Sequence, residues 1–256
     1  MERPSIVPKN LSNAINYKII IVIFTLVITT HLVINYGPGS ENKELTSSIV
    51  SMINPMVAGV TSVIVGFRYS MTNVFTRAYV SLGIGLICAG IGEILYVLYD
   101  IVFNINPFPS FADVFFLAYY PFILAHLIIN LRFFKLKYSK KIVMWLICFP
   151  IIYTSTFFTF YEYVDSFEMM VSMAYIIPDS IALALVVVGA NLFRHGTIGA
   201  AWFILLIGMF FISSADFWYY HLESSEEYSL DHPVNILWYA GYWVVTYALL
   251  KHKMAI

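Results

Sequence analysis

Apolar residues fill eight stretches of roughly 20 residues, separated by short connections rich in charge, Gly, Pro, Ser or Asn. A helix rises 1.5 Å per residue, so each stretch is long enough to cross a hydrocarbon core of about 30 Å. The pattern predicts helices at about 17–36, 47–67, 77–100, 111–132, 141–162, 168–193, 197–221 and 232–250. Prolines inside several of these do not break the assignment, because neighbouring helices can satisfy the freed backbone groups. The expectation is an all-α, polytopic integral membrane protein, a single membrane domain over 1–256 with eight transmembrane helices.

Composition agrees: 60% of the 256 residues are hydrophobic, 11% are charged and the mean hydropathy is +0.80. Too little polar surface remains for a soluble domain. The first apolar run ends in "HLVINYGPGS" without a small-residue cleavage pattern, and reads as a retained helix rather than a signal peptide.

Charge sets an orientation. With the N-terminus inside, Arg3, Lys9, Lys18, Arg68, Arg77, Arg132, Lys135, Lys137, Lys140, Lys141, Arg194, Lys251 and Lys253 fall on the cytoplasmic side, and only Lys43 falls outside. Both termini are expected in the cytoplasm, in a cell membrane, with the lipid bilayer as surroundings. The basic segment at 132–141 reads as a topogenic signal facing headgroups, and nothing points to nucleic acid.

The chain also resembles itself. Shifted by 123 residues, Lys18 falls on Lys141, Pro55 on Pro178, Gly66 on Gly189, Gly85 on Gly208, Glu93 on Asp216, Tyr96 on Tyr219 and Asp100 on Glu223. A one-residue slip then places Asp113 on Asn235, Ala118 on Ala240 and Tyr120 on Tyr242. Two four-helix units, 17–132 and 141–250, are expected in tandem parallel 4+4 arrangement about an approximate two-fold axis along the membrane normal.

Polar residues within apolar helices are the candidate site. Ser110 and Asp113 form an S-x-x-D capping box at the mouth of the fourth helix, which by itself accounts for Asp113. Capping does not account for Glu93 and Asp216, at matching places in helices three and seven. Asp179 lies deeper, roughly 16 Å along the sixth helix, where an unpaired Asp costs on the order of 2.5 to 3.5 kcal/mol. Asn54 precedes Pro55, where its amide either satisfies a carbonyl freed by the proline or faces a cavity. Asn54, Glu93, Asp113, Asp179, Asp216 and Asn235 are expected to share an outward-facing polar pocket between the repeats. The competing reading is a buried hydrogen-bond network that fixes helix register.

Other chemistry finds little support. Helices five to eight contain no interior lysine for a retinal Schiff base. His31, His221 and His232 lack metal-ligand spacing, and no G-x-S-x-G, P-loop or C-x-x-C motif occurs, so no catalytic residue, metal or cofactor is assigned. Cys88 and Cys148 lie within helices and read as buried thiols. The 19 Tyr and 21 Phe read as packing residues and interfacial anchors.

The run "GEILYVLYDIVFNINPFPSFADVFFLAYYPFILAHL", at 92–127, resembles the multi-pass membrane sensory regions that precede diguanylate cyclase or histidine kinase modules in prokaryotic signalling proteins. The residues that carry the likeness are Glu93, Pro109, Ser110, Ala112, Asp113, Tyr120 and Pro121, about a seventh of the chain being covered. The resemblance implies a noncatalytic sensing module. After Lys251 the chain runs out in "HKMAI" with no output domain, so signalling through a membrane protein partner is expected, with a small or lipid-like ligand in the pocket. An ion- or proton-coupled transporter and a structural subunit of a membrane complex are the alternative readings.

Overall fold

The computed structural model describes residues 16–37, 40–68, 73–134, 139–160, 166–192, 197–225, 227–229 and 231–254. Among them eight helices form: α1 (Tyr17–Tyr36), α2 (Lys43–Arg68), α3 (Asn73–Val97), α4 (Ala112–Phe133), α5 (Lys140–Phe160), α6 (Ser166–Leu192), α7 (Thr197–Ser224) and α8 (Val234–Met254). A 3-10 turn, Ser40–Asn42, leads into α2, and a π turn, Leu98–Val102, continues α3. The described residues contain no strand. The protein is an all-α polytopic membrane protein.

Seven of the helices are long and apolar enough to cross a membrane. The eighth, α8, matches them in length but not in apolar content. Its place in the bundle explains this: it packs against α1, α2 and α7, and buries Asn235, Tyr239, Thr246 and Tyr247 among them. A helix enclosed by protein can carry polar atoms that hydrocarbon would reject. The opposite case is α5, with only 6% of its apolar span buried against 61% for α6. Peripheral helices need apolar side chains on most faces, and α5 is apolar throughout 142–152.

Packing runs α2 on α3 and α3 on α4, then α6 on α7 and α7 on α8, and the two sets meet through α4 on α6 and α2 on α8. Small residues permit the closest crossings. A Cβ on Gly83 would stand 2.8 Å from the Gly59 carbonyl oxygen, and one on Gly59 would stand 3.0 Å from that of Gly83, so the α2 and α3 backbones touch there. Polar side chains tie α2 to α3, where Ser62 Oγ donates to the Tyr79 carbonyl (2.8 Å), and α3 to α4, where Ser81 Oγ donates to the Phe122 carbonyl (2.9 Å) and His126 Nδ1 to that of Ala78 (2.9 Å).

One half of the bundle is filled. Leu82, Leu86, Ile123, Leu127, Trp202 and Leu249 are each under 2% exposed and close it toward the end where α3 and α7 begin. The other half, beside the connections at 103–111 and 225–233, holds the carboxylates.

Substituting Gly83 by Val is expected to cost about 1–3 kcal/mol through overpacking. Thermal unfolding in detergent should record a lower Tm, while Ile53→Leu on the exposed face of α2 leaves it unchanged.

Candidate functional site

The carboxylates reach one region because their helices place them there. Asp113 enters through its cap: its Oδ2 accepts from the Ser110 amide (2.6 Å), while Ser110 Oγ accepts from the Ala112 amide (3.1 Å). The reciprocal box expected from the sequence therefore forms, with the serine satisfying Ala112 rather than Asp113 itself. The other carboxylate oxygen, Oδ1, accepts from the Tyr175 hydroxyl of α6 at 2.5 Å. One residue thus starts α4 and fastens it to the second half of the bundle.

Asp216, on α7, accepts from Trp238 Nε1 of α8 at 2.7 Å. Asn235, in the first turn of α8, accepts from the Tyr228 hydroxyl at 3.3 Å. Glu93, on α3, accepts no hydrogen bond and makes no ion pair among the described residues. It is the carboxylate the protein leaves unanswered.

Glu93, Asp113, Asp216 and Asn235 line one cavity of about 130 Å3. The rest of its wall is mostly aromatic: Tyr96, Phe108, Phe116, Tyr119, Tyr120, Tyr175, Tyr219, Tyr220, Tyr228, Trp238 and Tyr242. The Tyr96 and Tyr219 hydroxyls meet across it at 3.3 Å. Above it, a wider vestibule of about 500 Å3 is bordered by Glu44, Asp100 and Glu223, with Asn106, Pro107 and Ser229 from the connections. Glu93, Tyr96, Tyr228 and Ser51 line both spaces, so Glu93 stands at the junction. Among the described residues, no Lys, Arg or His lines either one.

Two expected members are elsewhere. Asp179, 4% exposed, does not line the cavity; its Oδ1 accepts from Ser213 Oγ (2.8 Å) and its Oδ2 from the Tyr153 hydroxyl (3.2 Å). It knits α5, α6 and α7 together, as the register-fixing reading would have it. The single Tyr153 proton is shared with the Ser213 carbonyl (3.1 Å), so the three residues form a closed set. Asn54 lines a different space, between α1, α2 and α8, and its Nδ2 has no partner. Among the described residues no group of three His, Cys, Asp or Glu is arranged to hold a metal ion.

Sequence reasoning missed the aromatic wall. A signal was present in the sequence, since Phe116 and Trp238, like Tyr120 and Tyr242, share one offset and now face one space.

Aromatic faces beside carboxylates form an environment that favours positive charge: each ring presents a negative quadrupole, and each acid a formal or partial negative charge. The volume is close to the roughly 150 Å3 of an engineered cavity that accepts benzene, so a ligand of about six to eight non-hydrogen atoms fits.

Removing a donor from Asp179 leaves a buried acceptor short. Tyr153→Phe and Ser213→Ala are each expected to destabilise by about 1–3 kcal/mol, read as a lower Tm, whereas Glu93→Gln, with no bond to lose, should leave Tm unchanged or raised. Comparison with protein families, curated proteins and solved structures finds no match to this chain, so the chemistry of the cavity rests on its own residues.

Proposed function

We propose that the chain is a noncatalytic ligand-binding module of the sensory type, which holds a small organic cation in the aromatic cavity and passes a change in helix packing to a partner membrane protein. The observation that carries this reading is a carboxylate, Glu93, without a partner among the described residues, in an aromatic cavity that they line with two further acids and no base. An ionised carboxylate withdrawn from water costs several kcal/mol unless something of opposite charge or a proton joins it. A cation supplies that charge, and the rings around it add attraction of about 0.5 to 2 kcal/mol each when desolvated. The acids of the vestibule raise the local concentration of cations at the entrance.

The site belongs, on this reading, to a duplicated 4+4 architecture. Several contacts support it. Equivalent residues of two-fold related units touch only at the axis, and Tyr96 and Tyr219, 123 apart, do so inside the cavity. A Cβ on Gly85 would stand 3.0 Å from the Tyr119 carbonyl oxygen, and one on Gly208 would stand 3.0 Å from that of Gly241, the counterpart position. The α4–α6 contact likewise becomes the α8–α2 contact when the halves are exchanged. The cavity is lined by both members of the pairs Ala89 and Ile212, Glu93 and Asp216, Asp113 and Asn235, Phe116 and Trp238, and Tyr120 and Tyr242.

The charge bias of the loops supports cytoplasmic termini in a prokaryotic cell membrane, which turns the vestibule outward. The likeness of 92–127 to sensory regions supports signalling, and the filled half of the bundle supports binding over passage. A coupled transporter has less behind it: α2 and α6 continue as helices through Pro55 and Pro178, and Asp179 is fully engaged.

Choline and its uncharged isostere 3,3-dimethyl-1-butanol, added to the protein in lipid nanodiscs, test the proposal. Choline is expected to raise Tm and bind by calorimetry, the isostere to do neither, and Glu93→Gln to weaken choline binding at least about tenfold, since one unit of charge pairing exceeds 1.4 kcal/mol in a desolvated site. Equal response to both compounds overturns the choice of a cation, and choline accumulation in proteoliposomes under an ion gradient overturns the sensory reading in favour of transport.

A further inference from the structure

A second space, separate from the aromatic cavity, lies where α1 stands off from the bundle. Between α1, α2 and α8 a crevice of about 280 Å3 has aliphatic walls from α1 and α2 and the rings of Tyr239 and Trp243 on α8. It faces lipid, since Leu26 on its rim is 61% exposed and Trp243 39%. Thr30 and the polar ends of Tyr239 and Trp243 also border it, and its buried polar side chain is Asn54, 4% exposed, whose Nδ2 has no hydrogen-bond partner. A buried amide donor left unpaired is strongly disfavoured, so Asn54 Nδ2 calls for an acceptor.

Depth narrows what can supply it. Asn54 lies eleven positions into α2, roughly 16 Å along the helix axis and so near the midplane of a 30 Å core. Glycerophospholipids carry their oxygens at the interface and present only hydrocarbon tails at this level. The acceptor must sit on a molecule that places oxygen among the tails.

The second half of the chain suggests its shape. At the 123-residue offset, Val22, Leu26 and Thr30 of α1 correspond to Trp145, Phe149 and Tyr153 of α5. Those three rings follow one another in a column, tilted by 30° and 33° with centroids 4.7 Å and 5.9 Å apart, on the side of α5 from which Trp145 and Tyr153 bond α6 and α7. The column ends in a polar tip, the Tyr153 hydroxyl, bonded to Asp179 and to the Ser213 carbonyl. Where α5 brings its own oxygen-bearing rings, α1 brings aliphatic groups and a threonine.

We infer that the crevice binds a lipid whose six-membered ring headgroup carries a hydrogen-bond-accepting oxygen, an isoprenoid quinone being the membrane lipid of that description. The ring sits in the place that the α5 side chains occupy in the other half, one ring oxygen accepts from Asn54 Nδ2, and the tail leaves past Leu26 into the bilayer. No covalent or redox step is involved. The inference does not depend on what fills the aromatic cavity, although Tyr239 links the two spaces: its hydroxyl bonds Ser47 (3.0 Å) and Ser51 (3.4 Å), and Ser51 lines the cavity.

Decylubiquinone and decylbenzene, which share a ring and a tail but differ in ring oxygens, are the probes, titrated against the full chain in phosphatidylcholine nanodiscs with Tm as the readout. Decylubiquinone is expected to raise Tm saturably and decylbenzene not to. Asn54→Leu should weaken the apparent affinity about tenfold, the loss of one buried hydrogen bond. Thr30→Tyr, which imports the α5 residue, should abolish the response while unfolding as cooperatively as the parent. Equal effects of the two probes, an unchanged affinity in Asn54→Leu, or no response of the parent chain would each overturn the assignment; should Thr30→Tyr fail to fold, the Asn54→Leu comparison decides.

Discussion

A carboxylate enclosed by helices in a bilayer must find a donor, a cation or a proton, and the half of this bundle that holds the acids is organised by that requirement. Asp113, Asp179 and Asp216 each take a hydrogen bond from a residue on another helix, Tyr175, Ser213 and Trp238 respectively. Each such bond joins helices that hydrophobic burial alone would not hold in register, since lipid tails are as apolar as a leucine surface. The same bonds therefore satisfy the acids and fix the geometry of the cavity. Glu93 stands outside the scheme, and the function proposed for the protein follows from that exception.

Close glycine crossings and polar satisfaction divide the labour along the membrane normal. Gly59 with Gly83, and Gly208 with Gly241, bring backbones into contact, and large side chains such as Trp202 and Leu127 fill the space toward the other end. A bundle closed on one side and lined with rings and acids on the other is what the proposed binding role draws on. The proposed coupling to a partner would require only that occupancy alter the packing of helices that share the cavity wall, α3, α4, α7 and α8 among them.

Much of the fold was legible because length and hydropathy act locally. Eight apolar runs became eight helices, with ends within about four residues of expectation, the largest differences lying at the starts of α2 and α3 and at the end of α8. The apolar content of α8 was harder to interpret, since protection by neighbouring helices leaves no mark on the helix itself. The site was only partly legible for the same reason. Depth singled out Asp179, but depth cannot reveal that Tyr153 and Ser213 wait on other helices. Asn54 matched the other candidates in depth but faces α1 and α8 rather than the axis, and a helix's rotation about its own axis is set by packing. The aromatic residues, read singly as anchors, gained meaning only when matching positions of the two halves were brought to one space.

The most direct test of a shared cavity is side-specific labelling. Glu93→Cys and Asp216→Cys, each in a chain whose Cys88 and Cys148 are replaced by serine, are reconstituted into oriented vesicles and exposed to a membrane-impermeant thiol reagent from one face at a time. Both cysteines should react from the external face and neither from the cytoplasmic one. Reaction of the two from opposite faces, or from neither, would contradict a single outward-opening chamber between the halves.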